Sequence, residues 1–250
     1  MYITIGKPCA ISEKGNRLHN EDYIYPSPEA ISSGQRMFMV CDGLGGADSG
    51  EIAGSLASDH FRTFFTTMLG KSEPSCELIR KAVQYTEAHF DAYMKEHPDA
   101  GGMSSTLAML YISSSGITLA RVGNSRIYQF RKGDMVFSTK DKGLIDDTSP
   151  DASINSIRGS AGHAEVEEVL IADIQPGDYF FMCTDGIMEK ISDEMLASIF
   201  RKQLSADIIK DELVVLCDGK TSDNYSFYII PIQNVQDAKQ NIRSFLYSII

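Results

Sequence analysis

A chain of 250 residues with 43% hydrophobic and 23% charged side chains can bury a sizeable core and does not read as disordered. Its 34 acidic residues outnumber 23 lysines and arginines, a formal charge of −11, which disfavours binding to nucleic-acid phosphates. The five cysteines (Cys9, Cys41, Cys76, Cys183 and Cys217) are odd in number and include no C-x-x-C pair, so neither a disulfide framework nor a zinc site is expected and a reducing cytoplasm is the expected setting. The first residues lack a basic segment followed by an apolar one, and no apolar run is long enough to span a membrane.

In chain order, short strands are expected at residues 2–6 and 22–25, and a stronger one at 36–41 that runs into Asp42-Gly43. From 49 to 69 the pattern turns helical, with Ile52, Leu56, Phe64 and Met68 on one face and Phe61 and Phe65 beside them. A second helix fits 76–96, with Pro98 just beyond its end. Strands follow at 106–112, 117–122, 126–131 and 135–138, and their short turn-like separators suggest a β-meander. Residues 140–164 read as a loop, with a short flap at about 142–162. An apolar strand at 178–184 ends in Asp185-Gly186, helices fit 193–202 and 205–219, and a last strand fits 225–232. A helical tail is expected over 235–250. Helices combined with a mostly antiparallel strand array predict an α+β sandwich, read as one domain over 1–250.

The chemistry concentrates at strand ends. Asp42 closes one strand, Asp185 another, Asp223 precedes the last, and Asn20-Glu21-Asp22 precedes an early one. Hard divalent cations take carboxylate and carbonyl oxygens, and strand ends can gather such groups from distant positions onto a rigid frame. Glycine after Asp42 would allow close approach to the backbone. A lone Asp-Gly is ordinarily a turn, and an acidic excess is ordinarily a solvated surface. The joint pattern, an acid flanking each of several strands, is what favours a cation site.

Six segments carry a family resemblance: Arg17-Leu-His-Asn-Glu-Asp22, Asp42-Gly-Leu-Gly-Gly46, Gly102-Met-Ser-Ser-Thr106, Val122-Gly-Asn-Ser-Arg126, Cys183-Thr-Asp-Gly186 and Ser222-Asp-Asn224. Taken in order, they make the chain resemble the type 2C, or PPM, metal-dependent protein serine/threonine phosphatases in their bacterial form. The resemblance implies two antiparallel sheets packed face to face with helices outside, an αββα four-layer sandwich. It implies two Mn²⁺ or Mg²⁺ ions bridged by Asp42. Asp22 and the Gly43 carbonyl would complete the shell of one ion, Asp185 and Asp223 would bind the other, and Glu21 would act through bound water. Arg17 would grip the substrate phosphate, and water activated between the ions would attack phosphorus without a covalent phosphoenzyme. Phosphorylated proteins are then the expected partners, a serine/threonine kinase and its targets among them.

The sequence departs from the family at two places. Relatives usually carry aspartate at the position of Asn124, where it helps the residue matching Asp185 to hold a third, weaker ion. Asn124 keeps an oxygen but lacks the charge, so a third ion is in doubt, and Asn124 is equally well read as a turn residue. Thr139-Lys-Asp141 resembles the family's Thr-x-Asp-His with Lys142 in place of the histidine. His19, inside the first motif, and His163, near the flap, are the histidines closest to the expected chemistry. Two other readings compete: a non-catalytic phosphoprotein-binding or regulatory module of the same fold, and a hydrolase of small phosphorylated metabolites.

Overall fold

The computed structural model describes residues 1–45, 49–139, 155–160 and 162–236. Its elements in chain order are β1 (Tyr2–Ile5), β2 (Cys9–Glu13), β3 (Asp22–Tyr25), β4 (Met37–Leu44), α1 (Ser49–Leu69) and α2 (Cys76–Glu96), then β5 (Ser104–Ser105), β6 (Leu107–Ile112), β7 (Ile117–Val122), β8 (Arg126–Arg131) and β9 (Asp134–Ser138). These are followed by β10 (Glu167–Ile171), β11 (Tyr179–Cys183), α3 (Asp193–Arg201), α4 (Ala206–Cys217) and β12 (Tyr225–Gln236). One sheet runs β1-β12-β11-β8-β9 with β2 also on β12, and the other runs β10-β7-β6-β4-β3 with β5 on the end of β4. The pairings within both sheets are antiparallel.

Side-chain alternation along the strands decides the layering. In β4, Phe38 and Val40 join a core with Leu110 of β6, Phe180 and Met182 of β11, and Tyr228 and Ile230 of β12. Met37, Met39 and Cys41 point the other way, into a core with Ala57, Phe61 and Phe65 of α1 and Ile79 and Phe90 of α2. On the partner sheet, Phe181, Cys183, Phe227 and Ile229 pack with Leu196 and Phe200 of α3 and Ile209 and Leu213 of α4. The layers are helices, sheet, sheet, helices, the four-layer sandwich expected from the sequence. Because both faces of β4 and β11 are covered, these strands read as unbroken apolar runs rather than as alternating ones. Each fully buried Leu, Ile, Phe or Met contributes about 1.5–3 kcal/mol toward holding the layers together.

Helix starts follow local capping chemistry. Ser75 accepts a hydrogen bond from Leu78 N at 3.2 Å to begin α2, and Ser192 accepts one from Met195 N at 3.3 Å to begin α3.

Several expectations need correction. The strands at 106–138 do not form one meander: β6 and β7 pair in one sheet, β8 and β9 in the other, so the chain changes sheets at Gly123-Asn124. Three strands escaped the sequence reading, one of them the two-residue β5 on the end of β4. β2 pairs with β12, and β10, rich in acid and half exposed, pairs with β7. β12 continues through Val235 and Gln236, which pair with β1, so a helix does not begin at Val235. The rest of the expected tail, 237–250, lies outside the described residues, as does the flap over 142–154 and 161.

Candidate metal and phosphate site

Asp22 opens β3 and Asp42 lies near the end of β4, and the two are direct partners across that antiparallel pair. Asp185 follows β11 after Thr184, and Asp223 stands two residues before β12, the strand beside β11. One sheet thus contributes Asp22 and Asp42, the other Asp185 and Asp223.

Their electrostatics register this gathering. Burial pushes the Asp42 carboxyl up to about 9, with Asp22, Asp185, Asp223 and Glu21 adding like-charge repulsion. Asp22, which is buried, is pushed up to about 7, mainly by desolvation. Hydrogen bonds from Thr184 and Ser226 oppose that rise, and the charges of Asp185 and Asp223 add to it. Asp185 is raised by burial and then by Asp223, against a hydrogen bond from Asn124. Such a cluster is unfavourable as a set of bare charges, and positive charge relieves it.

The remaining groups hold these carboxylates in place. Thr184 Oγ1 donates to Asp22 Oδ2 at 2.8 Å, and Ser226 N donates to Thr184 Oγ1 at 2.9 Å. Asn124 Nδ2 donates to Asp185 Oδ2 at 2.7 Å, while Asn124 Oδ1 is buried with no hydrogen-bond partner among the described residues. Asp42 N donates to Thr106 Oγ1 at 2.9 Å, and Thr106 N donates back to Asp42 O at 2.9 Å. Arg17 Nε lies 3.1 Å from Asp223 Oδ1, and Arg17 Nη2 donates to Asp223 Oδ2 at 3.1 Å. The Glu21 carboxylate lies against Gly50 in the first turn of α1, where a helix N-terminus favours negative charge.

Sequence reasoning gave no role to three of these residues. Thr184, Thr106 and Asn224 each stand in or next to a motif but carry no metal-binding chemistry of their own. Asn224 is buried and joins the two parts of the site: its Oδ1 accepts from Glu21 N at 2.8 Å, and its Nδ2 donates to Lys14 O and His19 O, each at 2.8 Å. The only available signal was its position directly after Asp223. Gly43 also has a packing role. A Cβ there would lie 1.9 Å from Gly50 O, so this glycine admits the first turn of α1 against β4. His163 lines a groove with Arg80, Val83 and Glu87 of α2, and none of the four aspartates lines it.

The donor set fits hard divalent cations: four carboxylates, backbone carbonyls nearby, and an amide oxygen of Asn124 buried without a partner. As the side chains stand, no three His, Cys, Asp or Glu groups among the described residues close on one point tightly enough to hold an ion. As placed, Asp223 is turned to Arg17, Asp185 to Asn124 and Asp22 to Thr184.

A family model described as protein phosphatase 2C matches residues 12–215. The serine/threonine protein phosphatase PstP of Mycobacterium tuberculosis is 30% identical over 206 residues, 75% of this chain and 37% of PstP. The chain therefore spans little more than a third of that relative's length. The serine/threonine phosphatase stp of Listeria welshimeri is 25% identical over 209 residues, 76% of this chain and 80% of stp. Among solved structures, the catalytic domain of PstP in complex with two manganese ions superposes with a TM-score of 0.72 at 22% identity, covering 93% of this chain and 100% of that one. At that identity the likeness establishes the fold.

Proposed function

Because the chain belongs to the protein phosphatase 2C family, we propose that it hydrolyses phosphoserine and phosphothreonine in proteins, using two Mn²⁺ or Mg²⁺ ions. The observation that carries this reading is the gathering of Asp22, Asp42, Asp185 and Asp223 from both sheets, with the first three pushed upward by burial and then by the charge of their acidic neighbours. The manganese in the PstP catalytic domain supports the choice of metal.

In this reading Asp42 would be a ligand at the centre of the acidic cluster. Asp22 and the Gly43 carbonyl would hold one ion, Asp185 and Asp223 the other, and Glu21 would act from outside through water. Metal held there would supply a water of lowered pKa and positive charge against the phosphoryl oxygens. Arg17 exchanges Asp223 for the substrate phosphate and places its planar fork on two oxygens. Thr184 and Asn124 hold Asp22 and Asp185 in fixed rotamers, and each donates to the ionised form. The phosphoester is cleaved by water in line with the departing seryl or threonyl oxygen. Side-chain nucleophiles play no part: Cys41 and Cys183 are buried, and burial pushes both thiols far from thiolate formation.

Two ions are the expected number in this reading, and a third at Asn124 and Asp185 would be held more weakly than by an aspartate. Asn124 binds Asp185 through an amide hydrogen and brings no charge with which to hold a third. Phosphorylated proteins are the partners, a serine/threonine kinase and its targets among them, and the cytoplasm is the setting. No helix among the described residues is long and apolar enough to cross a membrane.

The test is hydrolysis of p-nitrophenyl phosphate and of a phosphothreonine peptide, with Mn²⁺ and with chelator. Turnover should require Mn²⁺ and be abolished in Asp42→Asn. A folded protein with no Mn²⁺-dependent turnover on either substrate would overturn the proposal.

A further inference from the structure

We infer that Leu18 is a specificity-determining residue, contacting an apolar side chain next to the phosphorylated serine or threonine of the substrate. This rests on the phosphatase reading above. Leu18 follows Arg17 directly, and Arg17 in turn pairs with Asp223 at the acidic cluster. It is 87% exposed, more than any other large apolar residue named as exposed among the described residues, such as Val215 at 68% and Met68 at 60%.

A single exposed leucine is ordinarily unremarked surface. What sets this one apart is the rigidity of its loop. Asn224 Nδ2 donates to the carbonyls of Lys14 and His19, each at 2.8 Å, so one buried side chain fastens the loop on both sides of Leu18. Asn16 N donates to Thr221 O at 3.1 Å, and Arg17 N to Lys14 O at 3.2 Å. Gly15 sits at φ +57°, and a Cβ there would lie 2.1 Å from Asp223 O, so the loop is pressed onto the segment that carries the cluster. A backbone fastened this way loses little conformational freedom when a partner docks. The backbone position from which Leu18 projects is therefore preorganised.

Reach agrees with this. Successive Cα atoms are about 3.8 Å apart, and an extended peptide advances about 3.3–3.6 Å per residue. A substrate whose phosphate met Arg17 would carry its neighbouring residues past the loop that presents Leu18.

The experiment compares wild type with Leu18→Ser and Leu18→Met in Mn²⁺. The substrates are p-nitrophenyl phosphate and phosphothreonine peptides that differ only in carrying leucine or serine immediately before or after the phosphothreonine. Wild type is expected to favour a leucine-flanked peptide by about fivefold to tenfold in kcat/KM, expressed in KM. Leu18→Ser should erase that preference, Leu18→Met should keep it, and turnover of p-nitrophenyl phosphate should stay within about twofold for both. No flank preference in wild type, a preference that survives Leu18→Ser, or an equal loss on p-nitrophenyl phosphate would each overturn the inference. Wild type inactive on p-nitrophenyl phosphate would overturn the phosphatase reading, and this inference with it.

Discussion

The guanidinium of Arg17 lies across the carboxylate of Asp223, with Nε 3.1 Å from Oδ1 and Nη2 3.1 Å from Oδ2. The residue proposed to grip phosphate is thus paired with a residue proposed to hold metal, 206 positions away in the chain. A forked donor that fits one carboxylate also fits two phosphate oxygens, so the two partners compete for it.

Replacing Arg17 with alanine should therefore separate binding from stability. The side chains of the pair are 55% and 37% exposed, so its loss should cost at most about 1 kcal/mol of stability. Catalytic efficiency should fall about a hundredfold or more, and inhibition by inorganic phosphate should weaken. Urea unfolding and phosphate inhibition measured on the same preparation check both halves. Unchanged phosphate inhibition would remove Arg17 from the phosphate site.

Thr184→Val tests the support under Asp22. The substitution keeps the shape and deletes the donor to Asp22 Oδ2, leaving a buried carboxylate oxygen short of a partner and Ser226 N without its acceptor. A loss of about 1–3 kcal/mol is expected from urea denaturation, together with weaker Mn²⁺ binding by calorimetry. Stability within about 0.5 kcal/mol of wild type would show that this hydrogen bond matters little.

Metal and pH should be linked. Asp22 and Asp42 are pushed up to about 7 and about 9, from ordinary carboxyl values near 4 in the unfolded chain. Between those limits the folded protein holds protons that the unfolded chain has released. In chelator, stability should therefore be greatest at low pH within this window and decline as pH rises toward 9. Mn²⁺ should raise the melting temperature most at the alkaline end, by an amount equivalent to about 2.7 kcal/mol at a hundred times Kd. Melting curves from pH 5 to 9, with and without Mn²⁺, give the answer, and a metal-free stability that climbs across this range contradicts the cluster's electrostatics.

Asn124→Asp places a carboxylate where an amide now donates to Asp185 at 2.7 Å. Like charges at that separation should lower the metal-free melting temperature, and the Mn²⁺-induced rise should exceed that of wild type. Calorimetric stoichiometry should move from two ions toward three. If metal-free stability and ion count both match wild type, Asn124 is a turn residue and nothing more.

Some of this protein could be read from its sequence and some could not. The apolar runs at 36–41 and 178–184 announced central strands, because both faces of β4 and β11 are covered and every position is under the same pressure to be apolar. The helical spacing over 49–69 and 76–96 matched the bounds of α1 and α2, since helical period is a local property, but α1 buries Ala53, Ala57, Phe61, Phe65 and Leu69 and leaves Met68 of the expected face exposed. Asp22, Asp42, Asp185 and Asp223 stood out for a similar reason: each is an acid abutting a strand.

β2 and β10 were hidden because they are short and partly polar, and owe their pairing to strands far along the chain. The change of sheet between β7 and β8 was hidden because a tight Gly-Asn turn looks the same within a sheet as between sheets. The partners of the aspartates were hidden most completely. That Thr184 serves Asp22, Asn124 serves Asp185 and Asn224 fastens the Arg17 loop depends on which side chains meet across two sheets. Residue type and local period located most of the elements and nominated the acids, while the four layers were implied by the family resemblance. Only the packing of one sheet on the other decided which groups hold those acids, because hydrogen bonds between distant strands leave no periodic trace in the chain.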